Sequence, residues 1–526
     1  MISVELLLVS IFLFSLTPIA KTSRVPSVPS CRFSPQYSRD DVLTNPDAFV
    51  WDLLYWEGRF HQNNIRYNSA NGMTYDGTLL DPGTGLNNLG GLHPFSAASK
   101  ESLHIMVLAH CIAGDPLAAR FFSPEKPEQA AAIAFDIMQK KLEAYLKFNQ
   151  TYPGFGGFLP WFVSNETDIR PTSDWVNRVP ALDNGELLWA VYGVIEALDS
   201  SENSKYQRLA KQWQVWLDYA KHTSAEVFYN GTGRVCAVTS ISNQSNPIGG
   251  FNQSYTCEGN NTLNDPYEGE LFNWWLHLFS PSLTVTDKSD LWATKRPQLV
   301  SVDWHSNASI GDITVQRGYW FSSHEQWKIL ELPYLDVPLI KRLYHNAERV
   351  RTCNAYLTKN PGMYASVNNI TDSTGQILGY ISNAGIPSIS SQTVQELNVI
   401  TPYSVFPTIL FNQSVGLIWW KNMVDGKGMQ NPYGSTESER IDGNGISSFV
   451  SWDSKITTIA AILGGVQNLV REKMKRDGVY QEFLDVSQRE HERVFGSNLK
   501  GDEVELCLPE AKVPVTGAVM DYESCG

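Results

Sequence analysis

The sequence predicts an all-α fold, a toroid of helical hairpins with long loops at one face. Three observations carry this expectation. Apolar residues recur at helical spacing in ten or more segments, strand-like alternation is sparse, and several helices open with the same N-terminal signals while staying apolar on most faces. A helix that is apolar all round must be packed on several sides. In antiparallel succession such helices form the inner layer of a double ring, with their N-termini on one common face.

Residues 1–20 read as a secretory signal: the apolar run Leu6 to Leu16 is too short to span a membrane, is broken by Thr17-Pro18 and ends at Ala20. Residues 21–39 are Pro- and Ser-rich and expected to be loose. No linker interrupts the rest of the chain, so 40–526 is taken as one domain with a C-terminal tail. Its helices are expected at Asp47 to Tyr55, Ser99 to Ala113, Pro127 to Phe148, Asn184 to Leu198, Ser204 to Thr223 and Pro266 to Phe279. They continue at Lys288 to Lys295, Ser323 to Leu330, Pro338 to Leu357, Pro402 to Val424, Trp452 to Lys475 and Gln481 to Phe495. The Gly- and Asn-rich stretch from Asn63 to Leu92 reads as a functional loop. Strand candidates are Val235 to Ile241, Gly311 to Phe321 and Gln376 to Ile381.

Composition narrows the function. A net charge of −14 argues against nucleic acid or an anionic membrane as partner. Aromatic residues make up 12% of the chain, with 16 Trp; in an acidic, secreted protein this leans towards carbohydrate, although most of these Trp are expected to fill the core. Glycosylation triplets lie at Asn149, Asn165, Asn230, Asn243, Asn252, Asn260, Asn307, Asn369 and Asn412, and the cluster from Asn230 to Asn260 marks an exposed loop. Cys236 and Cys257 bracket that loop, Cys507 and Cys525 bracket the tail, and both pairs are plausible local disulfides, with Cys111 left unpaired. No C-x-x-C pair occurs, and His324-Glu325 lacks a second His at zincin spacing, so no metal and no cofactor are expected.

Hydrolysis of a glycosidic bond needs a proton donor and a base or nucleophile, normally two carboxyl groups. Asp265-Pro266-Tyr267-Glu268 reads as a capping box opening the Trp-rich helix, and Glu268 is the candidate acid. A helix N-terminus favours the anion, so Glu268 needs burial to hold its pKa up. Glu270 is the rival; it points about 200° round the helix from Glu268. Asp453, at the second position of a helix, is the candidate base, where the macrodipole favours ionisation; Asp442 competes in a Gly-flanked turn. Leu182-Asp183-Asn184-Gly185-Glu186 is a second capping box, and Asp183 with Asn184 is expected to hold sugar hydroxyls. Tyr267, Trp320, His324 and Tyr403 complete the expected substrate-binding set; Trp320 and His324 lie in a run from Arg317 to Trp327 dense in groups that stack on and hydrogen-bond to sugars.

Leu-Asp-Asn-Gly-Glu-Leu-Leu-Trp-Ala at 182–190, Tyr-Glu-Gly-Glu-Leu-Phe at 267–272, Ile-Thr-Pro-Tyr at 400–403 and Ser-Trp-Asp at 451–453 together resemble the fungal endo-β-1,2-glucanases. The resemblance covers most of the chain after the signal. It implies an (α/α)6-barrel and endo-hydrolysis of linear β-1,2-glucan to sophoro-oligosaccharides with inversion. It also implies a glutamate acid and an aspartate base, carried onto Glu268 and Asp453. The expected partner is thus a β-glucan, and the linkage rests on the resemblance alone. Two other readings compete: a polysaccharide lyase on a similar toroid, and a non-catalytic sugar-binding protein in which the carboxylates serve only as caps.

Overall fold

The computed structural model describes residues 30–525 apart from 307–309, 396 and 497. The expected signal and the Asn307 triplet lie outside the described residues. Sixteen α-helices are present among the described residues, joined by short 3-10 turns and seven small antiparallel sheets.

The helices that the sequence marks as apolar all round form the inner layer. Phe406–Phe411 packs on Trp452–Ile462, which packs on Ala98–Ile112; that helix meets Ala181–Asp199, which meets Glu270–Phe279. The amphipathic helices Ala130–Thr151 and Ser204–Phe228 lie outside them, each against an inner neighbour. Seven Trp (189, 213, 274, 275, 419, 420 and 452) are among the largest fully buried side chains. At roughly 25 cal/mol per Å² each contributes about 4–6 kcal/mol of burial.

Two expected helices are broken. Pro402 to Val424 splits into a 3-10 turn Pro402–Val405 and the helices Phe406–Phe411 and Gln413–Val424, because Asn412 is extended and caps the last of these through Val415 N. Trp452 to Lys475 ends at Ile462 and restarts at Gln467, since Gly464 and Gly465 have φ of +83° and +64°. A Cβ at Gly465 would lie 2.1 Å from the Leu330 carbonyl oxygen, so this bend admits only glycine.

The expected strands shorten to Val238–Ile241, Asp312–Gln316 and Tyr380–Ile381. The larger difference is in the expected loop Asn63 to Leu92. It holds the hairpin Gly77–Leu80/Asn87–His93, whose first strand pairs with Phe449–Ser451. Gly77 stands opposite both Ser451 and His93. This three-stranded sheet was not foreseen, since its partners are more than 350 residues apart in the chain.

The expected loose segment is packed from Cys31 onward: Cys31 and Phe33 are 4% and 1% exposed. The reason is a disulfide from Cys31 to Cys525, which ties both ends of the described chain together. Cys507 pairs with Cys353, not with Cys525 as its position in the tail predicted. Cys236–Cys257 forms as expected, and Cys111 is free and buried. Inside that clamp Asn243 and Asn252 are exposed; Asn230 and Asn260 are exposed as well.

Candidate active site

The helix openings at Asp183, Asp265, Thr401 and Ser451 converge, but of the four expected caps only Ser451 accepts a hydrogen bond at its helix N-terminus. The Trp-rich helix begins at Glu270, not Pro266, with Gly269 at its N-cap. Asp265 Oδ1 instead accepts from Tyr267 N (3.0 Å) and Gly269 N (3.1 Å), so 265–269 is a tight turn ahead of the helix. Two buried lysines tether it: Lys295 Nζ donates to the carbonyls of Leu263 (3.1 Å) and Asp265 (2.6 Å), and Lys328 Nζ to that of Pro266 (2.9 Å).

The turn separates the two glutamates. Glu270, 1% exposed, accepts through Oε2 from Lys328 Nζ (3.1 Å) and Tyr334 OH (2.7 Å), forming a buried ion pair. Glu268 instead has its Oε2 buried without a hydrogen-bond partner, and its Oε1 is 4.0 Å from His324 Nε2. Burial first, then the neighbouring carboxyls of Asp265, Glu186, Glu325 and Asp183, push the Glu268 pKa well above the usual carboxylate range. Burial drops the His324 pKa to about 3, so its imidazole is neutral and offers no charge to a Glu268 anion. A carboxyl so placed keeps its proton, which a general acid requires.

Across the cluster, Ser451 caps the helix Trp452–Ile462 through Ser454 N, and Asp453 follows in its first turn. Lys100 Nζ lies 3.1 Å from Asp453 Oδ2, while Asp453 Oδ1 is buried without a partner. Burial raises the Asp453 pKa and Lys100 lowers it; Asp76 raises it further, and the net direction is upward. The helix terminus alone therefore does not set this carboxylate's charge, in contrast to the sequence argument. Burial outweighs the dipole, and a lysine supplies the opposing charge.

The other expected residues divide in two. Asp183 is not an N-cap but the third residue of Ala181–Asp199, and its Oδ2 accepts from Trp161 Nε1 (3.2 Å). Trp320 is half-buried, its ring 6.0 Å from that of His324. These line the cluster with Glu268 and Asp453. By contrast, the Asn184 side chain is bound to Leu159 N and O and to Pro180 O, a clamp on the preceding loop in place of the expected sugar contact. Tyr267 and Tyr403 are each 2% exposed and donate to the carbonyls of Gln316 and Ser366, so their hydroxyls brace the floor. Tyr403 still lies within electrostatic reach of both Asp453 and Glu268. Glu325 accepts from the main-chain N–H groups of Tyr319, Trp320 and Ser322, and Asp442 pairs with Arg440.

Sequence reasoning missed Asp76, His93, Lys100, Trp161, Glu331 and Glu437. Lys100 carried a signal, a lysine in the first turn of a helix whose later residues are mostly apolar. The unforeseen sheet brings in Asp76 and His93, and Glu437 arrives on the segment beside Glu439, which pairs with Ile400. Glu186 and Glu331 are buried with unpartnered oxygens, and burial raises both pKa values well above normal. Glu437 is pushed up to about 7, chiefly by burial.

A family model described as endo-β-1,2-glucanase SGL matches residues 73–526. The structure of the endo-β-1,2-glucanase from Talaromyces funiculosus with sophorose is 58% identical, covers 95% of this chain and 100% of its own, and superposes with a TM-score of 0.92. A mutant of that enzyme, with one glutamate changed to glutamine and β-1,2-glucan bound, matches with the same identity, coverage and TM-score. An endo-β-1,2-glucanase from Chitinophaga pinensis, 12% identical over 84% of this chain and 98% of its own, shares the fold with a TM-score of 0.56. A search of curated proteins returns no match.

Proposed function

The chain belongs to the endo-β-1,2-glucanase family of glycoside hydrolases, built as an (α/α)6-barrel, and we propose that it hydrolyses β-1,2-glucan with inversion, using Glu268 as acid and Asp453 as base. The observation that carries this reading is the opposed setting of the two carboxyls. Glu268, its side chain 12% exposed, sits among other carboxyls with a raised pKa. Asp453 is held by a lysine ammonium at 3.1 Å. Burial raises both pKa values, but only Asp453 has a cation in contact that opposes the rise, and that difference assigns acid and base.

In this reading Glu268 donates its proton to the glycosidic oxygen as the C–O bond breaks. Asp453 takes a proton from the attacking water as the new C–O bond forms on the opposite face. Asp183, fixed by Trp161, binds sugar hydroxyls near the base, and Trp320 with His324 borders the acid. The products are sophoro-oligosaccharides. The relatives in complex with sophorose and with β-1,2-glucan support that substrate. The three disulfides support secretion, and no described helix is long and apolar enough to cross a membrane.

The test is hydrolysis of β-1,2-glucan by wild type, Glu268→Gln and Asp453→Asn, with the anomer of the first product read by NMR. Each variant is expected to lose about 10²–10⁴-fold in kcat, and the wild type to release the α-anomer first. A β-anomer, or a wild-type rate in either variant, overturns the assignment; unsaturated products would make the enzyme a lyase.

A further inference from the structure

Lys100 stands on the inner helix Ala98–Ile112 and is only 7% exposed. Its Nζ lies 3.1 Å from Asp453 Oδ2 and 4.0 Å from Asp76 Oδ1, and sits 5.3 Å above the Trp161 indole. Asp76 is itself placed by main chain: its N–H donates to Phe95 O (2.6 Å), its carbonyl accepts from Trp452 N (3.4 Å), and its Oδ2 is 3.5 Å from His93 Nδ1. One ammonium thus bridges two carboxylates. It is bonded to one oxygen of Asp453, while the other oxygen of that group, Oδ1, is buried and unpartnered.

We propose that Lys100, held against Asp76, is the positioning residue that anchors Asp453 through Oδ2, keeps it charged in its enclosed setting and leaves Oδ1 as the proton-accepting atom. The proposal rests on the reading of Asp453 as the base. When water attacks, its O–H bond breaks and an Oδ1–H bond forms; the ammonium keeps its three protons throughout.

The surroundings of Asp453 make Lys100 necessary. From the helix Ala181–Asp199 it faces Asp183 and Glu186, from the Gly77 hairpin Asp76, from the strand Tyr380–Ile381 Tyr380, and from the segment before Glu439–Arg440 Glu437. Tyr403 lies below. Every one of these is acidic or phenolic. The guanidinium of Arg66 acts on Asp76 and Glu437 but is bonded to Val450 O. The cation in contact with Asp453 is Lys100. A helix N-terminus contributes little beside the cost of desolvating a carboxylate, so the lysine must supply most of the difference. Asp76 pulls the other way: it orients Lys100 but adds negative charge beside the base.

These opposed effects give opposite signs in one experiment, the pH dependence of kcat and kcat/KM on β-1,2-glucan. Lys100→Met is expected to move the acid limb to higher pH by about one unit or more and to lower kcat at least tenfold, with KM changed less than threefold. Lys100→Arg should restore the limb in part, because the charge returns. Asp76→Asn is expected to move the limb to lower pH. A residue that merely packs would not move the limb in two directions. An unmoved limb in Lys100→Met, a loss confined to KM, or a shift of the same sign in both variants overturns the inference. If Lys100→Met does not fold, the Asp76→Asn shift decides alone, and an unmoved or raised limb there is the refutation. Asp453→Asn separates the two levels. A wild-type rate in that variant removes the base assignment itself, while an inactive Asp453→Asn beside an unmoved Lys100→Met limb removes only the role of Lys100.

Discussion

Lys328→Met tests the division of labour between the two neighbouring glutamates. Lys328 and Glu270 have side chains 3% and 2% exposed, paired at 3.1 Å, with Tyr334 OH completing the carboxylate's bonds at 2.7 Å. Nζ also holds Pro266 O and lies over the rings of Tyr334 (4.7 Å) and Tyr267 (5.3 Å). Removing the ammonium leaves a buried carboxylate without its counter-charge, which costs about 3–5 kcal/mol. At ~2.1 cal/mol/K per residue, the 526-residue chain has an unfolding entropy of about 1.1 kcal/mol/K. The expected fall in Tm is therefore about 3–5 °C, read by scanning calorimetry at one scan rate. Glu270→Gln should fall comparably, and Glu270→Leu with Lys328→Met should recover most of the loss, because replacing both ends by apolar groups leaves no buried charge. Glu268→Gln should leave Tm unchanged or raise it, since it removes an unpartnered buried carboxyl. A Tm for Lys328→Met within about 1 °C of wild type would refute the ion-pair argument. A Glu270→Gln variant that is inactive at unchanged Tm would instead make Glu270 the acid.

The glutamate contribution to stability should also follow pH in a defined direction. Burial pushes Glu325 and Glu437 up to about 7 and raises Glu186 and Glu331 well above the usual range, so between the ordinary glutamate range and pH 7 these groups bind more protons in the folded chain than in the unfolded one. The buried His61, His104, His324 and His491, with lowered pKa values, act with the opposite sign. The glutamate contribution is present at low pH and lost as pH rises through the folded pKa values; Glu437→Gln is therefore expected to gain in Tm relative to wild type from pH 5 to pH 7.5. A difference between variant and wild type that stays constant or falls over this interval would contradict it. Cys31→Ser should lower stability by about 2–5 kcal/mol by freeing both chain ends, while the rate per folded enzyme on β-1,2-glucan stays at the wild-type level. Gly77→Ala places a Cβ 1.9 Å from the Phe449 ring in the sheet that positions Asp76. It should cost about 1–3 kcal/mol or more in calorimetry and reduce activity with it.

The helical toroid was legible because its signal is local: apolar residues at helical spacing mark an inner layer wherever they run all round a helix. Glu268 and Asp453 could be singled out in the same way, as carboxyls near helix openings, although it took the family resemblance to give them their proposed roles. Their local setting was not. The box at Asp265 has the residues of a cap, but Lys295 and Lys328 pull the chain into a turn before the helix starts, and no local pattern records lysines 30 or more residues downstream. The tail cysteines show the same limit: Cys507 and Cys525 are near in sequence, yet each pairs with a distant partner that folding brings closer.

The sequence by itself determined the helices, the apolar inner faces and the residue types able to move a proton. The tertiary structure decided their charge states. Asp453 was assigned to the base on its helix terminus, yet its electrostatics depend on Lys100, more than 350 residues earlier. Asp76 reaches it only because Gly77 pairs with Ser451. The physical reason is that periodicity and capping act within a few residues of the chain. Desolvation and Coulomb interaction instead depend on what folding places within a few ångströms.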